Sequence, residues 1–236
     1  MLDGGQDSLE WNSFATLRTP RDYHSMISLE NPKRLWVVGG EDYDGLVMGT
    51  EFIYQSSTTQ SIYFQNFENY SVVRGPDLPH GILSTCVVQV DEDQVMLIGG
   101  TGGSGEDGEY LNKTWVRSQS SREWREGPEL NTHRTRLGCG KMYSAYHKKD
   151  MIVAIGGLGI RPNCDPRADR CYRYGINGTR SGRRIVLNSV EIIDPENLAE
   201  NQWQQGKFYR MSSRNCTVLS TSPKFQVHHY PTRFME

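Results

Sequence analysis

Short apolar runs separated by polar turns recur along the chain at wide and nearly regular intervals. Three of these runs are four residues long, and each is followed directly by a Gly-Gly doublet. The doublets start 60 and 57 residues apart, and their members are Gly39, Gly40, Gly99, Gly100, Gly156 and Gly157. A short apolar run bounded by turn residues predicts a buried β-strand. Repetition at this period predicts a domain assembled from similar units.

The residues around each doublet repeat in one order. A second apolar run and a polar turn come before it, which predicts a hairpin of strands a and b. A strand c follows, marked by Glu51, Trp115 or Glu191. A strand d comes last and carries a tryptophan in all units but one, where Val72 takes its place; the tryptophans are Trp11, Trp124 and Trp203. We therefore predict units of four antiparallel strands at 18–77, 78–129 and 130–208, and a partial unit at 209–236.

This order of landmarks resembles the Kelch repeat over roughly residues 11–220. The resemblance implies an all-β fold, a Kelch-type β-propeller of about four blade-sized repeats. Such sheets cannot bury both faces alone, so they stack radially. The pattern departs from the family at Val72 and at His229-Tyr230, which stand where a fourth doublet belongs. The chain is then either a closed four-bladed ring or a partial propeller; we expect the second, because no fourth strand c is visible.

The loops between strands b and c, and between strands d and a, share one face of a propeller, and the resemblance implies that this face binds partner peptides. It carries many arginines, whose guanidinium groups grip carboxylates bidentately. The candidate partner-binding residues are Arg18, Arg21, Arg134 and Arg136 in the d–a segments, and Arg161, Arg167, Arg170 and Arg173 in the third b–c loop. Alternatively, the d–a arginines bind carbonyl and carboxylate groups between blades, and residues 158–186 are a solvated insertion or a gene-model artefact.

The cysteines and the glycosylation sequons bear on the compartment. Cys164 and Cys171 bracket a short stretch of the third b–c loop and predict a disulfide in an oxidising compartment, with two reduced thiols as the alternative. Cys86, Cys139 and Cys216 fall in strand a, where cysteine often acts as a small buried apolar residue. Four sequons predict N-glycosylation of a secreted protein, at Asn69, Asn112, Asn177 and Asn215. The compartment is unknown, although the sequons favour an extracellular one over the cytoplasm; residues 1–10 do not resemble a signal peptide.

Several function classes are not favoured by the sequence. The net charge is −2, which gives no overall attraction to nucleic acid. No apolar run approaches the roughly 18 residues of a membrane span. The six histidines do not form a metal-ligand pattern, and neither a phosphate-binding loop nor a nucleophile elbow is present. We therefore expect that the chain is not an enzyme, that it binds no cofactor, metal or nucleic acid, and that it does not insert into a membrane.

The function that the sequence favours is a non-catalytic protein-interaction module, with a protein partner of unknown identity bound through the b–c and d–a loops. Two alternatives remain open. One is an extracellular recognition domain for glycan or matrix ligands, which the sequons and the Cys164–Cys171 spacing favour. The other is a propeller-type oxidase or sugar-active enzyme.

Overall fold

The computed structural model describes residues 15–55, 70–102, 109–121, 123–160, 172–174, 180–182 and 184–206. These residues confirm the all-β prediction, since the one helical element among them is a 3-10 turn at Pro195–Asn197. The strands are β1 Ser25–Glu30, β2 Lys33–Val38, β3 Glu41–Asp42, β4 Gly45–Leu46, β5 Glu51–Gln55, β6 Tyr70–Arg74, β7 Ile82–Leu83, β8 Cys86–Gln89, β9 Gln94–Ile98, β10 Thr101–Gly102, β11 Glu109–Tyr110, β12 Thr114–Ser118, β13 Arg125–Glu126, β14 Gly138–Ser144, β15 Lys149–Ile155, β16 Leu158–Ile160, β17 Tyr172–Tyr174, β18 Arg180–Gly182, β19 Arg184–Val186, β20 Val190–Ile193 and β21 Gln204–Gln205.

Three of the sheets share one design of four antiparallel strands. The first contains β1, β2, β5 and β6; the second contains β8, β9, β12 and β13; the third contains β14, β15, β20 and β21. In chain order these strands are the a, b, c and d elements, and each pairs with the next. The described residues do not form a closed ring.

The strand-c landmarks occupy one position in all three sheets. Glu51, Trp115 and Glu191 each pair with the residue two positions before their Gly-Gly doublet. The b–c connection from the second glycine to this landmark spans 11, 15 and 34 residues. Because the register is nevertheless the same, the differences in loop length are absorbed outside the four-stranded sheets.

The middle sheet is buried on both faces. Successive residues of a strand point to opposite sides, so Val95 and Leu97 of β9 pack against the first sheet, and Met96 and Ile98 pack against the third. We call the apolar layer between the first and second sheets the first seam; its buried residues are Leu29, Trp36, Val38, Phe52, Leu78, Ile82, Val87, Val95, Leu97 and Trp115. The second seam lies between the second and third sheets.

The Gly-Gly doublets bring neighbouring sheets into backbone contact. All six glycines have positive φ, which side chains disfavour. A Cβ on Gly39 would lie 2.4 Å from the Ile82 carbonyl oxygen, and one on Gly99 would lie 2.5 Å from the Arg134 carbonyl oxygen. The next glycine in each doublet donates its N–H to that same oxygen. Glycine is therefore required both by backbone conformation and by the close approach of the following sheet.

The strand-d tryptophans also link neighbouring sheets. Trp124 donates its Nε1–H to the Asp77 carbonyl at 2.9 Å, and Trp203 donates to the Pro128 carbonyl at 3.0 Å. Trp124 also stacks on Trp36, with 5.9 Å between ring centroids. Each indole thus contacts the turn that follows the preceding sheet. Trp11 and the partial unit at 209–236 lie outside the described residues.

Cys86 and Cys139, which the sequence predicted only as small buried apolar residues, form a disulfide with each other. Cys86 lies on β8 and Cys139 on β14, which are the a strands of the second and third sheets. These strands approach so closely that residues 53 positions apart have Cα atoms separated by 5.9 Å. Closing a loop of this length stabilises the fold by about 4 kcal/mol through the unfolded-state entropy.

The same a-strand contact is made without a disulfide between the first two sheets. Ser25 of β1 is the counterpart of Cys86, since each pairs with the residue directly before its Gly-Gly doublet. The Ser25 hydroxyl donates to the Thr85 carbonyl. The first residue of strand a is therefore a linking position at both junctions.

Candidate partner-binding face

The d–a segments and the b–c loops lie together at one end of the sheets. Asp22 forms a bridge with Glu41, β7 pairs with β10, and Thr135 forms a bridge with Leu158. Each of these contacts joins a d–a segment to the b–c loop of its own sheet. We call this end the loop face. At the opposite end the a–b and c–d turns meet; for example, the Ser118 hydroxyl donates to Asp93 at 2.5 Å.

A chain of left-handed residues runs across the loop face where each segment enters strand a. Tyr23, Ser84 and Arg136 have φ of 48°, 52° and 53°. Ser84 donates its N–H to the Tyr23 carbonyl at 2.8 Å, and Arg136 donates its N–H to the Ser84 carbonyl at 3.0 Å. The three sheets are therefore joined in series by one repeated backbone hydrogen bond. Neither Tyr23 nor Ser84 was a candidate residue from the sequence, although their fixed position just before strand a was the available signal.

Arg134 is completely buried and paired with Glu191, so it is not accessible to a partner. Its Nε and Nη2 atoms donate to Glu191 at 3.1 and 2.9 Å. Its remaining protons go to the Gly156 carbonyl, the Ser189 carbonyl and the Ser189 hydroxyl. Glu191 also accepts two hydrogen bonds from Asn131. Arg134 therefore joins the d–a segment to strand c of the same sheet.

Arg21 makes the same arrangement in the first sheet. Its Nη2 atom donates to Glu51 at 2.6 Å, and its Nη1 atom donates to the carbonyls of Gly39 and Gly49. Glu51 also accepts the backbone N–H groups of Arg18 and Thr19. Both partners of this ion pair are almost fully buried. Arg21 is thus a second arginine that lies inside the loop face rather than on its surface.

The second sheet replaces this ion pair with an aromatic contact. His80 packs edge-on against Trp115, with 4.7 Å between the ring centroids. Trp115 occupies the register position of Glu51 and Glu191. Burial lowers the pKa of His80 below its ordinary value, and the charge of Glu126 opposes this shift only in part. The middle sheet therefore has no buried ion pair at the site where its neighbours have one.

Arg18 and Arg136 are the candidate arginines whose side chains are exposed on the loop face. The guanidinium carbon of Arg136 lies 5.3 Å from the centre of the half-exposed Tyr23 ring. Tyr43, between β3 and β4, is fully exposed. The exposed surface thus combines two cations with two aromatic rings, a composition that is typical of protein-interaction sites. The sequence analysis did not identify either tyrosine.

Other predicted site residues lie outside the described residues: Arg161, Arg167, Arg170, Cys164, Cys171, Asn69, Asn177 and Asn215. Arg173 lies in β17, which pairs with β18. Asn112 is half-buried, and its Nδ2 atom donates to Glu129 at 3.0 Å. The hydroxyl of Thr114, the third residue of this sequon, is buried and donates to the Pro128 carbonyl. In the folded chain this sequon is therefore engaged in internal contacts.

An open cavity of about 510 Å³ lies where β13 meets the turn before β21. Its lining includes Arg125, Glu126, Asn131 and Trp203. Among the described residues, no group of three or more His, Cys, Asp and Glu side chains is arranged to hold a metal ion. No helix in the described part of the chain is long and apolar enough to cross a membrane.

No family model matches the sequence, and no curated protein matches it.

Proposed function

We propose that the chain is a segment of a Kelch-type β-propeller that binds a protein partner through its loop face. The observation that carries this proposal is the repeated junction between successive sheets. Gly39 and Gly99 each meet the backbone of the following sheet, and the left-handed residues join the segments in series. A stack of like sheets with its irregular loops gathered at one end is the arrangement that propellers use for recognition.

The loop face has the rigidity that a binding surface needs. The buried pairs Arg21–Glu51 and Arg134–Glu191 hold two of its d–a segments against strand c. Tyr23 and Arg136 belong to the two d–a segments that these ion pairs hold in place, so little side-chain or loop ordering is required on binding. Their cation and aromatic ring suit a partner segment that is acidic and carries apolar side chains.

A random peptide display library selected against the full-length chain tests the proposal. We expect the enriched peptides to be rich in Asp and Glu. Their affinity should fall about tenfold or more in Arg136→Glu, because a charge reversal at a contact places like charges together. Arg125→Glu is the matched control, since Arg125 is exposed on β13 away from the loop face. Peptides that bind both variants equally well, or a selection without enrichment, would contradict the proposal.

The Cys86–Cys139 disulfide favours an extracellular version of this function. Structural disulfides persist in oxidising compartments and are rare in the cytosol. Intact mass of the chain secreted from eukaryotic cells, measured with and without reductant after alkylation, tests this. We expect at least one disulfide that is lost in Cys86→Ser. A fully reduced secreted chain, or a cytosolic chain that reaches the same stability with both thiols free, would exclude the extracellular version.

A further inference from the structure

Three buried N–H donors in the first seam have no hydrogen-bond partner. They are Nε of Arg34, Nε1 of Trp36 and Nε of Arg117. Among the described residues these are the buried side-chain nitrogen and oxygen atoms without a partner, and all three are donors. A buried donor without an acceptor destabilises the folded state, and more so when it carries charge. Such a concentration in one layer indicates a missing acceptor.

The strand register places these donors on the same side of their sheets. Arg34 and Trp36 lie two positions apart on β2, so both face the second sheet. Arg117 lies two positions after Trp115 on β12, so it faces the first sheet. Gln119 follows after two more positions, and its Oε1 atom accepts from Nη2 of Arg34 at 2.9 Å. Arg34 and Arg117 therefore enter the first seam from opposite sheets, near its a–b and c–d end.

The two guanidinium groups lack a carboxylate partner in the described part of the chain. Arg117 is only 7 % exposed and makes no ion pair there. Burial lowers the pKa of Arg117, and the charge of Arg34 lowers it further, while Asp93 opposes the shift. The Asp93 carboxylate is already engaged by the Ser118 hydroxyl and the Ser120 N–H. The local charge of the seam is thus positive and only partly offset by the Asp93 carboxylate.

Arg134 provides the contrast within the same fold. It is completely buried, yet all its donor protons have acceptors, including a carboxylate. At Arg34, the outer nitrogens are held by Tyr54 and Gln119, and the guanidinium lies 4.0 Å from the centre of the Phe52 ring. These contacts fix the orientation of Arg34 but bring no negative charge. Two like charges thereby face the same seam with only the partial counter-charge of Asp93, which is unfavourable unless an anion binds.

We propose that the first seam contains a binding site for a small oxyanion, of the size of sulfate or phosphate, held between Arg34 and Arg117. The unpartnered Nε–H groups of the two arginines supply charge-assisted hydrogen bonds, which are the strongest that an oxyanion can accept from side chains. A small free anion fits better than a group on a macromolecule, because Arg117 is almost entirely buried. The site is independent of the loop face, so it stands even if the proposed partner binding fails.

Thermal unfolding and titration calorimetry of the full-length chain test this site. Sodium sulfate, phosphate and acetate are each titrated at constant ionic strength against chloride. We expect a saturable rise in Tm with sulfate or phosphate, of roughly 5–10 °C at a hundredfold excess over the dissociation constant. The acetate titration shows whether the site prefers a carboxylate or a tetrahedral anion such as sulfate or phosphate. A rise that is linear in salt and never saturates is the general effect of excluded salts and would overturn the proposal.

Arg117→Met is the decisive variant, with Arg125→Met as the matched control on an exposed strand. We expect Arg117→Met to lose the saturable response and to be at least as stable as the unchanged chain in anion-free buffer, because it removes a buried, unpaired charge. Arg125→Met should keep the response. A response that survives in Arg117→Met would overturn the proposal, and so would a large loss of stability of that variant in anion-free buffer.

Discussion

Replacing Arg134 with methionine tests whether the buried ion pair holds the loop face together. Methionine keeps most of the apolar length of the side chain but removes all the donors. In the variant, the Glu191 carboxylate stays buried with the Asn131 groups as its remaining partners. The carbonyls of Gly156 and Ser189 lose a donor at the same time. The change therefore leaves a buried charge and two partly buried acceptors incompletely satisfied.

The expected loss of stability follows from the complete burial of both partners, which are 0 % exposed. Removing one member of such a pair costs about 3–5 kcal/mol. For a domain of this size each kcal/mol lowers Tm by about 2–4 °C, so the expected shift is roughly 6–20 °C. The double variant Arg134→Met/Glu191→Met should recover part of this loss, because it removes the orphaned charge.

Urea unfolding followed by tryptophan fluorescence measures the difference, since Trp203 packs in the same seam as Ile193 of strand c. Lys113→Met is the control, because Lys113 forms an exposed pair with Glu129. Exposed pairs contribute little, so this variant should unfold close to the unchanged chain. A loss below about 1 kcal/mol in Arg134→Met, or a loss equal to that of Lys113→Met, would refute the reasoning.

Two further predictions concern the middle sheet. Gly99→Ala should destabilise the fold strongly, because the new Cβ would lie 2.5 Å from the Arg134 carbonyl oxygen. Gly45→Ala is the control and should show only the effect of its positive φ, since nothing described lies within 4 Å of its Cβ position. Equal Tm shifts in the two variants would contradict the close-approach argument. The folded-state pKa of His80 is lowered, so its contribution to stability is present above the unfolded pKa near 6.5 and is lost as pH falls through the folded value. The free energy of unfolding, measured from pH 8 to pH 5, should therefore fall toward acid pH. His80→Gln should remove the part of this pH dependence that His80 causes. An unchanged pH dependence in the variant would exclude His80 as the cause.

The repeated elements could be recognised locally. The apolar runs before Gly39, Gly99 and Gly156 lie within β2, β9 and β15. A continuous apolar run and a turn residue that permits positive φ are properties of a few adjacent positions, so a short window of sequence contains the information. The strand-c register was visible for the same reason, because Glu51, Trp115 and Glu191 stand in a fixed order behind each doublet.

The roles of the charged and sulfur-containing side chains were not visible in this way. Arg134 and Arg136 are two positions apart, yet one is buried against Glu191 and the other is exposed. Arg134 pairs with a carboxylate because strand c brings Glu191, which is 57 residues away in the sequence, next to it. Likewise Cys86 and Cys139 meet because two sheets stack, although Cys164 and Cys171 looked closer in sequence.

The sequence by itself determined the strands, their turns and the glycine positions, because backbone preference and alternation act over neighbouring residues. The tertiary structure alone decided which arginines are buried, which cysteines pair and why the Nε–H groups of Arg34 and Arg117 face one seam without an acceptor. These outcomes depend on contacts between sheets, and burial changes the energy of a charge or a thiol far more than its neighbours in the chain do. Identical residue types at similar spacing therefore acquire different roles.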